Sequence, residues 1–273
     1  MEMKYSSEGG HRKASRTRAA VKVWKELYGH IRGELWKLRH TLLPWLHVLI
    51  PLLGIAVFLA YYSFAAWSDA GKVSGYIETL TIALPLVVSV ICSISAELEE
   101  SGHYQTFLGV SVYKRNPLLA KWIVLSGMGL LSIFAAVLGF ALGYWVMKGS
   151  MVLLMREYLI LILVMWFCSV SLYLIHLFLN FAFSKNISLC AGTAELVIAA
   201  LFLTGLGDGR WQFVPCSWAG RWTEYLIQYW TGNKVLPAEA VMKNLGSEAA
   251  VTVILWIVFF MWFYFYEGRQ CRD

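Results

Sequence analysis

The chain has 273 residues, 59% of them hydrophobic and only 15% charged, with a formal net charge of +6 and a mean hydropathy of +0.59. Those values exclude a soluble globular domain. They describe an all-α polytopic membrane protein, and 13 Trp, 14 Tyr and 15 Phe suit a chain anchored at two membrane–water interfaces.

Residues 1–20 (MEMKYSSEGGHRKASRTRAA) carry many charges and few large apolar side chains, so a disordered basic tail is expected. No cleavable signal peptide is expected, because the first apolar run starts near residue 42. Over 21–43, Trp24, Tyr28, Ile31, Leu35, Leu38 and Leu42 recur at three- and four-residue spacing among Lys22, Lys25, Arg32, Lys37 and Arg39. That is the pattern of a basic amphipathic helix lying in the membrane interface. An ordinary cytosolic helix shows the same pattern.

Residues 44–273 read as a six-span domain. Runs long enough to cross a bilayer are predicted at 44–66, 77–96, 119–147, 155–183, 188–206 and 249–266. They are helices, since lipid forces each backbone group to find a partner and no segment alternates as a barrel strand does. With the N-terminus inside, 16 of the 23 Lys and Arg fall on the inner side, so both termini are expected in the cytoplasm. This juxtamembrane charge points to anionic lipid rather than to nucleic acid.

Between spans two and three lies SAELEESGHYQTFLGVSVYKRNPLLAKW, residues 95–122, the only dense acidic cluster. It is longer than a simple crossing needs. Tyr104, Phe107, Leu108 and Val112 follow helical spacing after Glu97, Glu99 and Glu100, and Pro117 opens the next span. The segment reads either as a solvated connector or as a short surface helix that docks a cytosolic partner.

Inside the spans, His176 and Glu195 stand about nine residues either side of the turn at 184–187, at similar depth on antiparallel helices. A hydrogen-bonded pair is predicted, serving as a substrate contact or latch, or simply tying two helices together. Ala135, Gly139 and Gly143 form a small-residue stripe in span three that permits close approach, either of a second subunit or within the chain. Between spans five and six, a large extracellular loop (207–248) carries Trp211 and then Trp218, Trp222, Tyr225, Leu226 and Tyr229, mostly on one helical face. Pro237 is expected to start another short helix. The aromatic face would either receive an amphipathic substrate or rest in the headgroups. The five Cys include no CxxC, so neither a disulfide framework nor a metal site is read.

The layout resembles the permease subunits of ABC-2 type transporters, most closely the lantibiotic-protection permeases. Three segments carry the resemblance. ELWKLRHTLLPWLHVLIPLLG (34–54) places a Glu and a basic lead-in before a Pro-containing first span. In 95–122, Glu100, Gly102, Gln105, Leu108 and Lys121 follow an acidic–Gly–Gln–Leu pattern with a basic residue opening span three. WQFVPCSWAGRW (211–222) is similar to a Trp–Pro–Trp segment after span five. The N-terminal extension departs from the pattern.

The resemblance implies a transport subunit without its own motor, and the chain has no GxxxxGK[ST] sequence. ATP and Mg would bind a separate ATPase subunit, itself dimeric, and a second permease half, paralogous or identical, would complete the transporter. The loop between spans two and three would be a cytoplasmic coupling helix, with Glu97, Glu99, Glu100, Gly102, Tyr104, Gln105, Phe107 and Leu108 facing the ATPase. The implied role is export of a lantibiotic or similar antimicrobial peptide from the bacterial cytoplasmic membrane. The alternatives are another amphipathic cargo (a drug, lipid or glycan), or a membrane-embedded enzyme or scaffold. No HExxH sequence supports the enzyme.

Overall fold

Long apolar runs separated by charged or Gly- and Pro-containing turns produce a bundle of helices. The computed structural model describes residues 3–102, 104, 107, 109, 111–232 and 237–267, with side chains from residue 21 onward. Among these, the helices are α1 (Met3–Leu38), α2 (Leu43–Phe64), α3 (Asp69–Ser101), α4 (Arg115–Lys148), α5 (Met155–Ala182), α6 (Lys185–Phe202), α7 (Pro215–Trp230) and α8 (Ala238–Tyr264). Short 3-10 turns occupy Gly205–Gly207 and Trp211–Phe213. Six helices, α2 to α6 and α8, are long and apolar enough to cross a membrane. The chain is a multi-pass membrane protein.

Three boundaries differ from the sequence expectation. The α1 helix reaches back to Met3, into the stretch whose composition predicts disorder; that stretch is rich in Ala, Lys and Arg, which are strong helix formers. The α3 helix starts at Asp69 rather than 77, because Ser68 caps it by accepting from the Gly71 amide at 3.2 Å. The α8 helix starts at Ala238 rather than 249, directly after Pro237. The separate short helix expected at Pro237 is therefore the first part of the last span. A count of apolar residues stops short of these turns because they are polar: Lys72 and Ser74 of α3 find partners within the protein, while Glu239 and Lys243 of α8 are exposed.

Two prolines lie within spans, Pro51 in α2 and Pro85 in α3. A proline withdraws the amide that would serve the carbonyl four residues earlier. For Pro51 that carbonyl belongs to His47, and Ser132 of α4 donates to it at 3.0 Å. The freed group is thus satisfied from a neighbouring helix, as lipid requires.

Two members of the small-residue stripe, Gly139 and Gly143, pack within the chain, while Ala135 is exposed. Gly139 and Gly143 receive Ile55 and Leu59 of α2 so closely that neither has room for a Cβ. Gly192 of α6 likewise abuts Ser89 and the Pro85 carbonyl of α3. These contacts draw α2 onto α4 and α6 onto α3. The bundle then has two ends. One carries α1, the end of α3 and the start of α4, and is called the α1 end below; the other carries the 3-10 turns and α7.

Candidate functional site: a charged junction at the α1 end

The inner face of α1 turns Glu34 inward, one helical turn before Lys37. Lys121 lies in the second turn of α4, among the buried Leu118, Ala120 and Val124, and Glu99 points in from the last turns of α3. Four side chains meet there. Lys121 Nζ lies 2.8 Å from Glu34 Oε2 and 3.0 Å from Glu99 Oε1, while Lys37 Nζ lies 2.9 Å from Glu34 Oε1 and 2.8 Å from Glu99 Oε1. Ser95 Oγ accepts from Lys121 at 3.1 Å. Lys121 is 1% exposed, Glu99 3% and Glu34 6%.

Two carboxylates face two ammonium groups, so the cluster is neutral as a unit although each member is costly to bury alone. Burial by itself would raise the Glu34 carboxyl, but Lys121 and Lys37 outweigh it and hold the group below its ordinary value. Burial would lower Lys37, and Glu34 and Glu99 outweigh that to hold it above its ordinary value. The arrangement binds α1, α3 and α4 into one unit. Glu26 adds a second tie, accepting from Ser111 Oγ at 2.5 Å in the segment that leads into α4.

The residues predicted to meet a partner divide between surface and interior. Glu97 is exposed and pairs with Lys185 at 2.6 Å. Glu100 is half-buried, whereas Leu98, Ser101 and Gly102 are exposed. Glu99, Tyr104 and Phe107 correct the expectation, since all three are buried. The Phe107 ring stacks on Phe181 at 5.1 Å between centroids and meets Phe263 edge-on, and Lys121 Nζ sits 5.8 Å from its centroid. Tyr104 takes a positive φ of 57°, rare for a residue with a Cβ, and its ring rests against Phe181 and Tyr266. The apolar face of this loop is thus turned onto the bundle. Gln105 and Leu108 lie outside the described residues, as does most of the short helix expected around them.

His176 and Glu195 are brought together, with Nε2 to Oε2 at 3.0 Å. His176 Nδ1 lies 3.1 Å from Ser188 Oγ, and Asn180 Nδ2 donates both to Ser188 Oγ at 2.9 Å and to the His176 carbonyl at 2.7 Å. Every contact is met when Ser188 donates to Nδ1 and Nε2–H donates to Glu195. Ser, His and Glu in this order have the composition of a nucleophile triad, but Ser188 and His176 are both 0% exposed. The network ties α5 to α6. Replacing Glu195 by Gln keeps an acceptor, so we expect a loss of about 1 kcal/mol or less in detergent unfolding. A larger fall in activity at unchanged stability would assign the carboxylate a functional charge instead of a structural one.

At the opposite end, the aromatic face turns inward, contrary to expectation. Trp211, Trp218 and Trp222 are buried, and only Tyr229 of the predicted set is exposed. Trp211 meets Trp222 edge-on at 5.5 Å and Tyr225 at 5.9 Å. The indole Nε1–H of Trp222 donates to Glu248 of α8 at 2.7 Å, and that of Trp218 to the Gln212 carbonyl at 3.2 Å. The indoles of Trp218 and Trp222 are thus satisfied within the bundle, with Tyr225 half-buried and Tyr229 exposed.

Sequence reasoning passed over Arg221, Lys72 and Glu248, each buried. Arg221 and Glu248 sit in what reads as an exposed loop. Glu34 and Lys121 appear among the residues that carry the resemblance, but nothing in their spacing pairs them. No protein-family model matches the chain, and no curated protein does either.

Proposed function

We propose that this chain is the permease subunit of an ABC-2 type exporter in a bacterial cytoplasmic membrane. A separate ATPase would supply the energy, a second permease half would complete the path, and the cargo would be a lantibiotic or a similar antimicrobial peptide. One observation carries the reading. Glu34, from the first resembling segment, and Glu99 and Lys121, from the second, lie far apart in sequence and meet in a single buried cluster.

Such a junction suits a coupling role. A push on the end of α3 cannot separate Lys121 from its carboxylates without stranding buried charges, so α1, α3 and α4 move together. On this reading the α1 end is cytoplasmic. The surface left for the ATPase is the last turn of α3, where Glu97, Leu98, Ser101 and Gly102 are exposed, in place of the buried Glu99, Tyr104 and Phe107.

The test is mild purification with the products of neighbouring genes co-expressed. A stoichiometric P-loop ATPase should accompany the chain, and its reproducible absence would overturn the reading. Replacing Glu97 and Leu98 together by Ala should then weaken ATPase retention by roughly tenfold. The unfolding temperature should stay close to wild type, since both side chains are exposed.

A further inference from the structure

A cleft of about 860 Å³ opens at the α1 end, between the segment leading into α4 and the last turns of α8. Its two walls differ in chemistry. One consists of Phe260, Met261, Tyr264 and Phe265, of which Met261 is 61%, Tyr264 68% and Phe265 75% exposed. The other carries Lys114 and Arg115, both exposed. Among the described residues neither cation has an ion-pair partner, so both charges are open to a ligand in the cleft. Glu267 also lines the cleft, so its described lining residues carry a net charge of one positive unit.

We propose that this cleft binds one anionic phospholipid, with its phosphate at Lys114 and Arg115 and its acyl chains along the exposed face of α8. Three features favour a lipid over an acidic protein segment. The apolar wall belongs to a membrane span, and α8 is the least buried of the six, with 11% of its most apolar stretch covered. It therefore faces hydrocarbon. The cations stand where α4 begins and α8 ends, so they sit where the apolar surface gives way to charged loop, at headgroup level. Basic groups at such a boundary attract anionic headgroups by about a factor of five each. A zwitterionic lipid gains little from the same pair of charges. The inference needs only the membrane-spanning fold and is independent of the transport reading.

The test uses the full-length chain in nanodiscs of phosphatidylcholine containing a minor fraction of phosphatidylglycerol, with retained lipid counted by native mass spectrometry after release. Wild type should retain phosphatidylglycerol well above its bulk share. Lys114→Gln with Arg115→Gln should reduce that enrichment by roughly tenfold. Lys148→Gln with Arg210→Gln, two exposed cations at the opposite end of the bundle, should leave it close to wild type and serves as the control for general surface charge. Glu267→Gln should increase it by removing the opposing charge among the described lining residues. Equal retention of the two lipids by wild type would overturn the site, as would full enrichment in the doubly substituted Lys114 and Arg115 variant. If that variant keeps its lipid but loses a co-purifying soluble protein, the cleft is a protein-docking surface and the proposal fails.

Discussion

Replacing Lys121 by Ala is expected to destabilise the protein by about 3–5 kcal/mol, because it leaves Glu34 and Glu99 buried with one shared cation. The remaining cation, Lys37, has a side chain that is 35% exposed and is the weaker of the two partners. Detergent unfolding would report the loss, and hydrogen exchange should rise across α1 as its inner face comes free of α3 and α4. The double replacement Lys121→Met with Glu99→Gln removes one charge of each sign and leaves the Glu34–Lys37 pair. It should be less harmful than Lys121→Ala alone, a non-additivity that reports direct coupling. A loss below about 1 kcal/mol for Lys121→Ala would remove the junction as a structural unit.

The same junction has a defined pH window. The Glu34 carboxyl is held below its ordinary value of 4.5, so its contribution is present above that pH and is lost as pH falls through the lowered value. The Lys37 ammonium is held above its ordinary 10.5, so its contribution is present below that pH and is lost as pH rises through the raised value. Protection factors over α1, with the intrinsic pH dependence of exchange divided out, should therefore stay flat between these limits and fall beyond either.

Arg221→Lys is the second large effect, expected to cost about 2–4 kcal/mol. Arg221 is 5% exposed, and its fork reaches three acceptors: Nε donates to the Phe202 carbonyl at 2.5 Å, and Nη2 to the Thr204 carbonyl at 2.6 Å and to Asp208 Oδ1 at 2.9 Å. The Phe202 carbonyl ends α6, where helical donors run out, and the Thr204 carbonyl accepts from both Arg221 and the Gly207 amide of the following 3-10 turn. A lysine ammonium cannot hold this fan of acceptors from the same stem. The measurements are unfolding temperature and protease cleavage within residues 203–214, which should become accessible. If Arg221→Lys proves as stable and as resistant as wild type, the 3-10 turns close the α6–α7 connection without the guanidinium.

Some of the interior was legible from spacing alone. His176 and Glu195 could be matched because two antiparallel spans share a short turn, and counting residues from that turn gives depth directly. The junction at the α1 end offered no such ruler. Glu99 shares a face with Ser95, four residues earlier, only if α3 stays helical as far as Ser101, and the acidic run there reads equally well as a loop. Three neighbouring glutamates thus have three environments: Glu97 exposed, Glu99 sealed against lysines, Glu100 between them. The tryptophans after span five misled for a related reason. A one-sided aromatic helix between spans looks like an interfacial surface, yet Glu248 and the Gln212 carbonyl offer its indoles partners within the bundle.

The solvent and the number of crossings were readable from the residues in order. Hydropathy over about twenty residues depends on transfer from water to hydrocarbon, a property of each segment alone. Which face of each helix turns inward emerged only from the packed bundle. In water, an apolar face is a buried face. In lipid, Leu53 of α2 at 67% exposure and Leu43 at 0% are equally content, so hydrophobicity no longer distinguishes core from surface. The inward faces are chosen by close approach, as at Gly139, Gly143 and Gly192, and by partners for the few charges that cannot face hydrocarbon, as at Glu34, Glu99, Lys121 and Arg221. Both depend on what a second helix places opposite, and a single segment carries no record of that.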